Sequence, residues 1–195
     1  MRERALPPDD LEVGRSVCGL AEFLSHRGRF EEALPLHERG VGILEQRFDV
    51  PTPELAASKA DWAVTLDGLG RYAEAERIRR DALDVARQTV GDEDLLVARL
   101  LHDRSASLRL QRRLDEALSV ARDAVSRRRT VLGENDPDLA ASLLELARLQ
   151  TARGELDEAR SAARQASSIW SKAEFIDPVF LSEARQFTRP RRKTP

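Results

Sequence analysis

The sequence is poorest in the residues that staple small folds and line catalytic centres. Cys18 is the only cysteine in 195 residues, which excludes an intramolecular disulfide framework and a cysteine-based zinc site. The three histidines, His26, His37 and His102, stand apart in the chain and never form the H-E-x-x-H spacing that puts two imidazoles on one helix face. Aromatic residues are 5% of the chain, and β-branched or aromatic runs that would suggest sheets are scarce. No window approaches 18 consecutive apolar residues, and the opening MRERALPPDD lacks the apolar core of a signal peptide, so a cytoplasmic chain with no membrane contact is expected. Lysine is nearly missing too: Lys59, Lys172 and Lys193 are the only ones among 32 basic residues, a bias typical of GC-rich bacterial genomes. A formal net charge of −2 provides no global attraction for nucleic acid or an anionic bilayer.

What is present is a helical composition, 34% charged and 41% apolar, long enough to bury a core. The clearest stretch is Leu132 to Trp170. Asp136 can cap a helix that starts at Pro137, Gly154 can take the positive φ that ends it, and Glu155-Leu156-Asp157-Glu158 opens a second helix with acidic residues at its positive dipole end. The rest of the chain repeats that unit with a period of 42 residues. Caps recur at Asp10, Thr52, Asp94 and Asp136; turn residues at Gly28, Gly70, Arg112 and Gly154; an aromatic or leucine at Phe30, Tyr72, Leu114 and Leu156. Glu32, Glu74, Glu116 and Glu158 form an identical column, as do the alanines that follow them. Small residues recur at Gly40, Ala82, Ala124 and Ala166 and again at Ala21, Ala63, Ser105 and Ala147, which lets paired helices approach closely. The glutamates are read as dipole partners, not as catalysts.

The units fall at about 10–51, 52–93, 94–135 and 136–176 within a single domain spanning 10–188, between an N-terminal tail over 1–9 and a basic tail over 189–195, both read as disordered. In the first unit Pro35 predicts a kink in the second helix, and Gly40 and Gly42 each weaken it by roughly 0.8–1 kcal/mol against alanine. The third unit lacks the turn glycine, having Arg112, and places Arg104 in the column of Leu20, Trp62 and Leu146. One unit earlier Lys59 occupies the column of Val17, Leu101 and Leu143. Both cations are expected to snorkel; a sharper alternative has them pairing with Asp61 or Asp103 in a charged site. Glu76 and Arg80 read as an ordinary solvated i,i+4 pair. From 177 to 188, Leu181 or Phe180, Ala184 and Phe187 share one face, with Ser182, Glu183, Arg185 and Gln186 opposite, as expected of a capping helix.

The segment A-x2-LLELA-x6-G-x-L-x-EA, from Ala140 through Gly154 to Ala159, resembles the tetratricopeptide repeat, and the 42-residue period is similar to that of kinesin light chains. The resemblance covers about residues 11–175 and implies an all-α, right-handed superhelical solenoid of four helix–turn–helix repeats that binds a protein or peptide in a concave groove lined by the first helix of each unit. By register the groove positions are Arg15, Cys18, Gly19, Glu22 and Ser25; Ala57, Ala60, Asp61, Val64 and Asp67; Arg99, His102, Asp103, Ala106 and Arg109; and Ala141, Leu144, Glu145, Arg148 and Thr151. Val64 and Leu144 would take an apolar anchor and the charged residues would meet a peptide's charges. Kinesin light chains and the repeats that clamp a chaperone's terminal carboxylate hold peptide backbone with groove asparagines. This chain has only Asn135, in a turn, so neither mode carries over.

No catalytic chemistry is legible. P-loop, G-x-S-x-G and G-x-G-x-x-G patterns are missing, Gly40-Val41-Gly42 lies mid-helix, and Cys18 has no basic neighbour in sequence to activate it. A monomeric, non-enzymatic scaffold without cofactor or metal is the resulting expectation. The alternatives are an arginine-rich nucleic-acid binder using Arg127-Arg128-Arg129 and the 189–193 tail, a regulatory module of a larger kinase, protease or NTPase system, and self-assembly through uncapped ends.

Overall fold

Each capping signal works as a helix boundary in the computed structural model, which describes residues 6–48, 50–173 and 178–188. Asp10 accepts from the Glu12 amide, Thr52 from Leu55, Asp94 from Leu96 and Asp136 from Asp138, at 2.8–3.2 Å. Behind these caps run α1 (Leu11–His26), α3 (Pro53–Gly68), α5 (Leu95–Leu110) and α7 (Pro137–Arg153). Their partners are α2 (Phe30–Arg47), α4 (Tyr72–Val90), α6 (Leu114–Leu132) and α8 (Leu156–Trp170), and α9 (Pro178–Thr188) follows. Among the described residues there is no strand.

The four turns share one hydrogen-bond pattern. In each, the turn residue donates to a carbonyl three back and its successor to one five back, as in Gly154 to Thr151 and Glu155 to Gln150, which closes the helix end. The pattern needs a left-handed residue, and Arg112 adopts φ 62° in the place where Gly154 has 82°. Arginine therefore occupies a glycine conformation.

The second helices start without a side-chain cap at α2, α4 and α6. Instead, Arg29, Arg71 and Arg113 each grip the glutamate three residues on through two nitrogens: Arg29 Nε and Nη2 reach Glu32 at 2.7 and 2.6 Å, and the other two match within 0.1 Å. Those arginines hold the Glu32, Glu74 and Glu116 carboxyls below their ordinary pKa. The identical glutamate column is thus a fork-to-fork clamp as well as a dipole partner; the last copy has Glu155 in the arginine's place and no such clamp.

The helices form two compact units, Met1–Leu100 and Leu101–Pro195. In the first, α1 packs on α2, α3 on α4, and α3 also meets α1 and α2, over clusters built on Cys18, Val41, Leu44 and Leu55 and on Ala63, Leu66, Ala75 and Ile78. Ala21, Ala63 and Ala82 are fully buried, as the small columns require. A Cβ on Gly40 would stand 2.6 Å from Cys18 Sγ and 3.1 Å from its backbone nitrogen, so α1 and α2 cross too closely there for alanine. The apparent flaw in α2 is a packing requirement, and α2 continues through Pro35 to Arg47. Before α1, Arg39 donates to the Pro8 carbonyl and Arg47 to that of Asp9, so residues 8 and 9 are tied to α2 rather than free; residues 1–5 lie outside the described ones.

In the second unit α7 packs on α6 and α8, and α9 lies on α8 and α7. The core runs from Leu108 and Leu118 through Leu139, Leu143 and Leu149 to Trp170, whose indole donates to the Pro137 carbonyl at 3.2 Å. Ala184 of α9 is fully buried with Leu181 and Phe187 beside it, the apolar face expected there. Glu183 departs from the expected solvent face and pairs with Arg148. Residue 177 and the tail from 189 lie outside the described residues.

Three charge placements differ from expectation. Lys59 does not snorkel: it is 5% exposed and its ammonium pairs with Glu45 at 2.7 Å and with Asp81, on α2 and α4, not with Asp61. Burial pulls its pKa down, but hydrogen bonds to Asp81 and Glu45 more than offset that and leave it above the ordinary value. Arg104 is half-buried in a column whose burial varies between copies: Leu20 is 50% exposed, Trp62 is half-buried and Leu146 is a core residue. Glu76 is buried, not solvated, because its side of α4 faces the core.

Candidate partner-binding surface

The first helix of each pair carries the residues that register assigns to the binding face, and burial sorts them. In the first unit, Arg15 stands half-exposed on α1, its Nε and Nη2 on Glu54 at 2.8 and 2.9 Å and its Nη1 on Glu12 at 2.5 Å. Glu22 is exposed two turns further on, with His26 at 3.7 Å. On α3, Asp61 is half-buried with Arg99 of α5 at 4.0 Å, and Val64 is 42% exposed. Asp67 belongs to the interior instead: it accepts at 2.5 Å from Arg79, which is 1% exposed on α4. A buried guanidinium without that carboxylate would be costly, so Asp67 serves the fold.

Between α1 and α3 lies a trough of about 220 Å³, with Cys18, Gly19 and His37 on its walls, and beside it a smaller pocket of about 70 Å³ that ends at Ser25 and Val64. Cys18 is a packing residue, and burial pushes its thiol pKa up, away from reactivity. His37 is fully buried on α2, and desolvation brings its imidazole down to about 4, so it is neutral at pH 7.

The second unit is organised around a buried carboxylate. Glu145 is 1% exposed and is held by Arg109 at 2.6 Å and Arg148 at 3.1 Å. Arg148 also takes Glu183 of α9 bidentately at 2.7 and 2.6 Å. Two guanidiniums around one buried carboxylate satisfy both its oxygens, and the α9 carboxylate answers the surplus cation. His102 is half-buried with Nδ1 at 3.3 Å from Ser142 Oγ, and desolvation, with the Arg128 and Arg148 charges, brings it down to about 4. Asp103 is half-buried. Leu144 is 1% exposed, so it is a core residue and no apolar anchor point; Leu100, Leu108 and Leu149 are its fully buried peers in the chain. Arg109, Arg148 and the strained Arg112 line a cavity of about 400 Å³ whose apolar wall is Leu110, Ala152 and Phe187.

Sequence reasoning missed Glu54, Glu183 and His37. Glu183 lies on a helix face expected to meet water and Glu54 carries no signal of its own, and only the packing of α3 on α1 and α9 on α7 brings them to Arg15 and Arg148. Arg127-Arg128-Arg129 are engaged locally: Arg127 on Asp123, Arg128 on the Asp138 carbonyl and Ser142, and Arg129 on Glu134. Among the described residues no three His, Cys, Asp or Glu side chains gather as metal ligands, and no helix is long and apolar enough to cross a membrane.

Helix pairs in a 42-residue register, closed by identical turns and small-residue columns, define a helical-repeat protein. The tetratricopeptide repeat pattern matches residues 12–88, 54–130 and 96–172. The chain belongs to the tetratricopeptide repeat family, with an all-α fold. Among solved structures it is similar to BtubC (BKLC) from P. vanneervenii, at 20% identity and TM-score 0.78 over 89% of this chain and 69% of that one. It is similar also to a kinesin light chain candidate of Podosopora anserina with nearly identical TPR-like repeats, at 23% identity and TM-score 0.73 over 91% of this chain and 88% of that one. A point variant of the latter gives 23% and 0.74 over 94% and 89%. No curated protein sequence matches.

Proposed function

We propose that the chain is a non-catalytic interaction module that holds a protein or peptide segment against the first helices of its repeats, as a monomer in the cytoplasm. The observation that carries this is the trough between α1 and α3, bordered by Glu22, Gly19 and the exposed Val64, none of which the core uses. Cys18, His37 and His102 are perturbed chiefly by burial, which serves packing rather than chemistry. Family membership supports a protein partner. The kinesin-related names of the structural neighbours are not carried over, since the only asparagine, Asn135, sits outside the first helices.

The nucleic-acid alternative loses ground because Arg127, Arg128 and Arg129 already have acceptors within the fold. The test is affinity capture from a lysate of the source organism with the wild type beside Asp61→Arg and Asp103→Arg. The reading expects a protein retained by the wild type and lost by the variants. Equal retention by all would remove these helices as the binding face, and nuclease-sensitive retention that falls steeply with salt would favour nucleic acid.

A further inference from the structure

The cavity at the turn between α5 and α6 keeps an arginine where the fold elsewhere uses glycine. Gly28, Gly70 and Gly154 hold the equivalent turns at φ 72°, 72° and 82°, and Arg112 holds this one at 62°. A Cβ built on any of the three glycines meets nothing within 4 Å, so packing does not call for a side chain at that place. Residues kept in the left-handed region against their own preference cluster at ligand clamps. The Arg112 side chain is exposed and lines the cavity of about 400 Å³.

The donors facing that space set its charge. Among the described residues the Arg112 guanidinium has no hydrogen bond or ion pair. Arg109 commits only Nε, to Glu145 at 2.6 Å, and its Nη1 and Nη2 have no acceptor among the described residues. Arg148 is fully engaged, through Nη1 on Glu145 at 3.1 Å and through Nε and Nη2 on Glu183 at 2.7 and 2.6 Å. Three guanidiniums thus face two carboxylates, which leaves one positive charge unanswered. Thr151, one turn past Arg148 on α7, adds an exposed hydroxyl that makes no hydrogen bond among the described residues.

These donors select the anion. Glu183 is satisfied by a single guanidinium fork and Glu145 by two N–H groups, so a carboxylate uses up few donors. What remains open is two separate guanidinium ends and a hydroxyl, carried by two elements. A planar carboxylate brings two oxygens to them; a phosphate monoester brings three tetrahedral oxygens and a charge of about −1.5 to −2 at pH 7. The wall of Leu110, 53% exposed, Ala152 and Phe187 gives an aliphatic neighbour of the phosphate a surface, which a free phosphate ion or a nucleic-acid backbone would leave unused.

We infer that this cavity is a subsite for a phosphorylated serine or threonine of the bound protein segment, its phosphate taken by Arg109, Arg112 and Thr151 and the residue beside it by Leu110 and Phe187. The inference rests on the proposed function for the source of the segment, but the subsite can be read without any partner. The probe is the capped peptide acetyl-Gly-Leu-phosphoserine-Leu-Gly-amide, with serine and glutamate versions and inorganic phosphate alone, each titrated into the 15N-labelled full chain.

The expected result is saturable shifts centred on the amides of Leu110, Arg112, Thr151 and Phe187 with the phosphopeptide, and at least tenfold weaker binding of the serine peptide, the glutamate peptide and inorganic phosphate. Arg112→Gly installs the turn residue of the other three copies, so the fold is kept; it should weaken binding at least tenfold without lowering the melting temperature. Thr151→Ala, at an exposed position, should weaken it several-fold. Equal binding of any of the three comparison ligands, unaltered binding by Arg112→Gly, or shifts confined to residues 189–195 or spread over arginines of both units would each overturn the assignment. A chain that binds the phosphopeptide but captures no protein would keep the subsite and remove the proposed function. A captured protein whose retention survives both phosphatase treatment and Arg112→Gly would do the reverse.

Discussion

Replacing Arg112 by glycine is expected to stabilise the second unit. At φ 62° the arginine occupies a conformation that costs an L-residue about 1–2 kcal/mol. Glycine removes that cost but gives the unfolded chain extra freedom worth about 0.5–1 kcal/mol. The net gain is therefore about 0.5–1 kcal/mol, or a melting temperature higher by about 1–4 °C in a chain of this size. Nothing opposes the change on the folded side. The Arg112 side chain is exposed at the cavity rim, and its amide bond to the Arg109 carbonyl, 3.0 Å, survives with any residue. Gly154→Arg, at the equivalent turn, is the mirror experiment and should lose about 0.5–1 kcal/mol. Urea denaturation of the pair reads both. Destabilisation by Arg112→Gly would refute the reasoning, because it would mean that the guanidinium holds the turn through a contact worth more than the backbone cost.

Other consequences can be checked alongside. Gly40→Ala should cost about 1–3 kcal/mol by overpacking Cys18, whereas Gly42→Ala in the same helix, with open space at its Cβ, should gain about 0.8–1 kcal/mol; chemical denaturation separates them. Leu144→Ala should lose about 2–4 kcal/mol and Val64→Ala less than about 0.5, because one is core and the other surface. His37 and His102 have folded pKa values of about 4 against about 6.5 unfolded. Between those values the unfolded chain binds protons that the folded chain refuses, so stability should fall as pH drops from about 6.5 towards 4. For the fully buried His37 the loss is at most about 3 kcal/mol. His37→Gln should flatten that slope, and an unchanged slope in melting temperature against pH would contradict the burial argument.

Much of the fold is legible in the sequence because its signals are local. Asp10, Thr52, Asp94 and Asp136 cap helices with their own side chains, and the 42-residue register places every turn. The binding face is legible only as register. Position in a repeat does not say how deeply a neighbour covers it: Leu144 and Glu145 are sealed by what packs on α7, whereas Val64, in the face carried by α3, is left open. Lys59 and Arg104 show the same limit from the other side. The first lies in a true core column and finds two carboxylates on adjacent helices, and the second lies in a column whose burial runs from the exposed Leu20 to the core residue Leu146. Gly40 misleads when judged by helix propensity alone, since its reason is the backbone of another helix.

The central claim, that the first helices of the repeats present a protein-binding face, is tested most directly by capture with variants matched for stability. Wild type, Asp61→Arg and Asp103→Arg should melt within a degree or two of one another. A protein retained by the wild type should be lost by at least one variant, and hydrogen exchange of the reconstituted pair should slow in α1 and α3. Retention of the same protein by all three, with protection confined to the second helices of the pairs, would contradict the account.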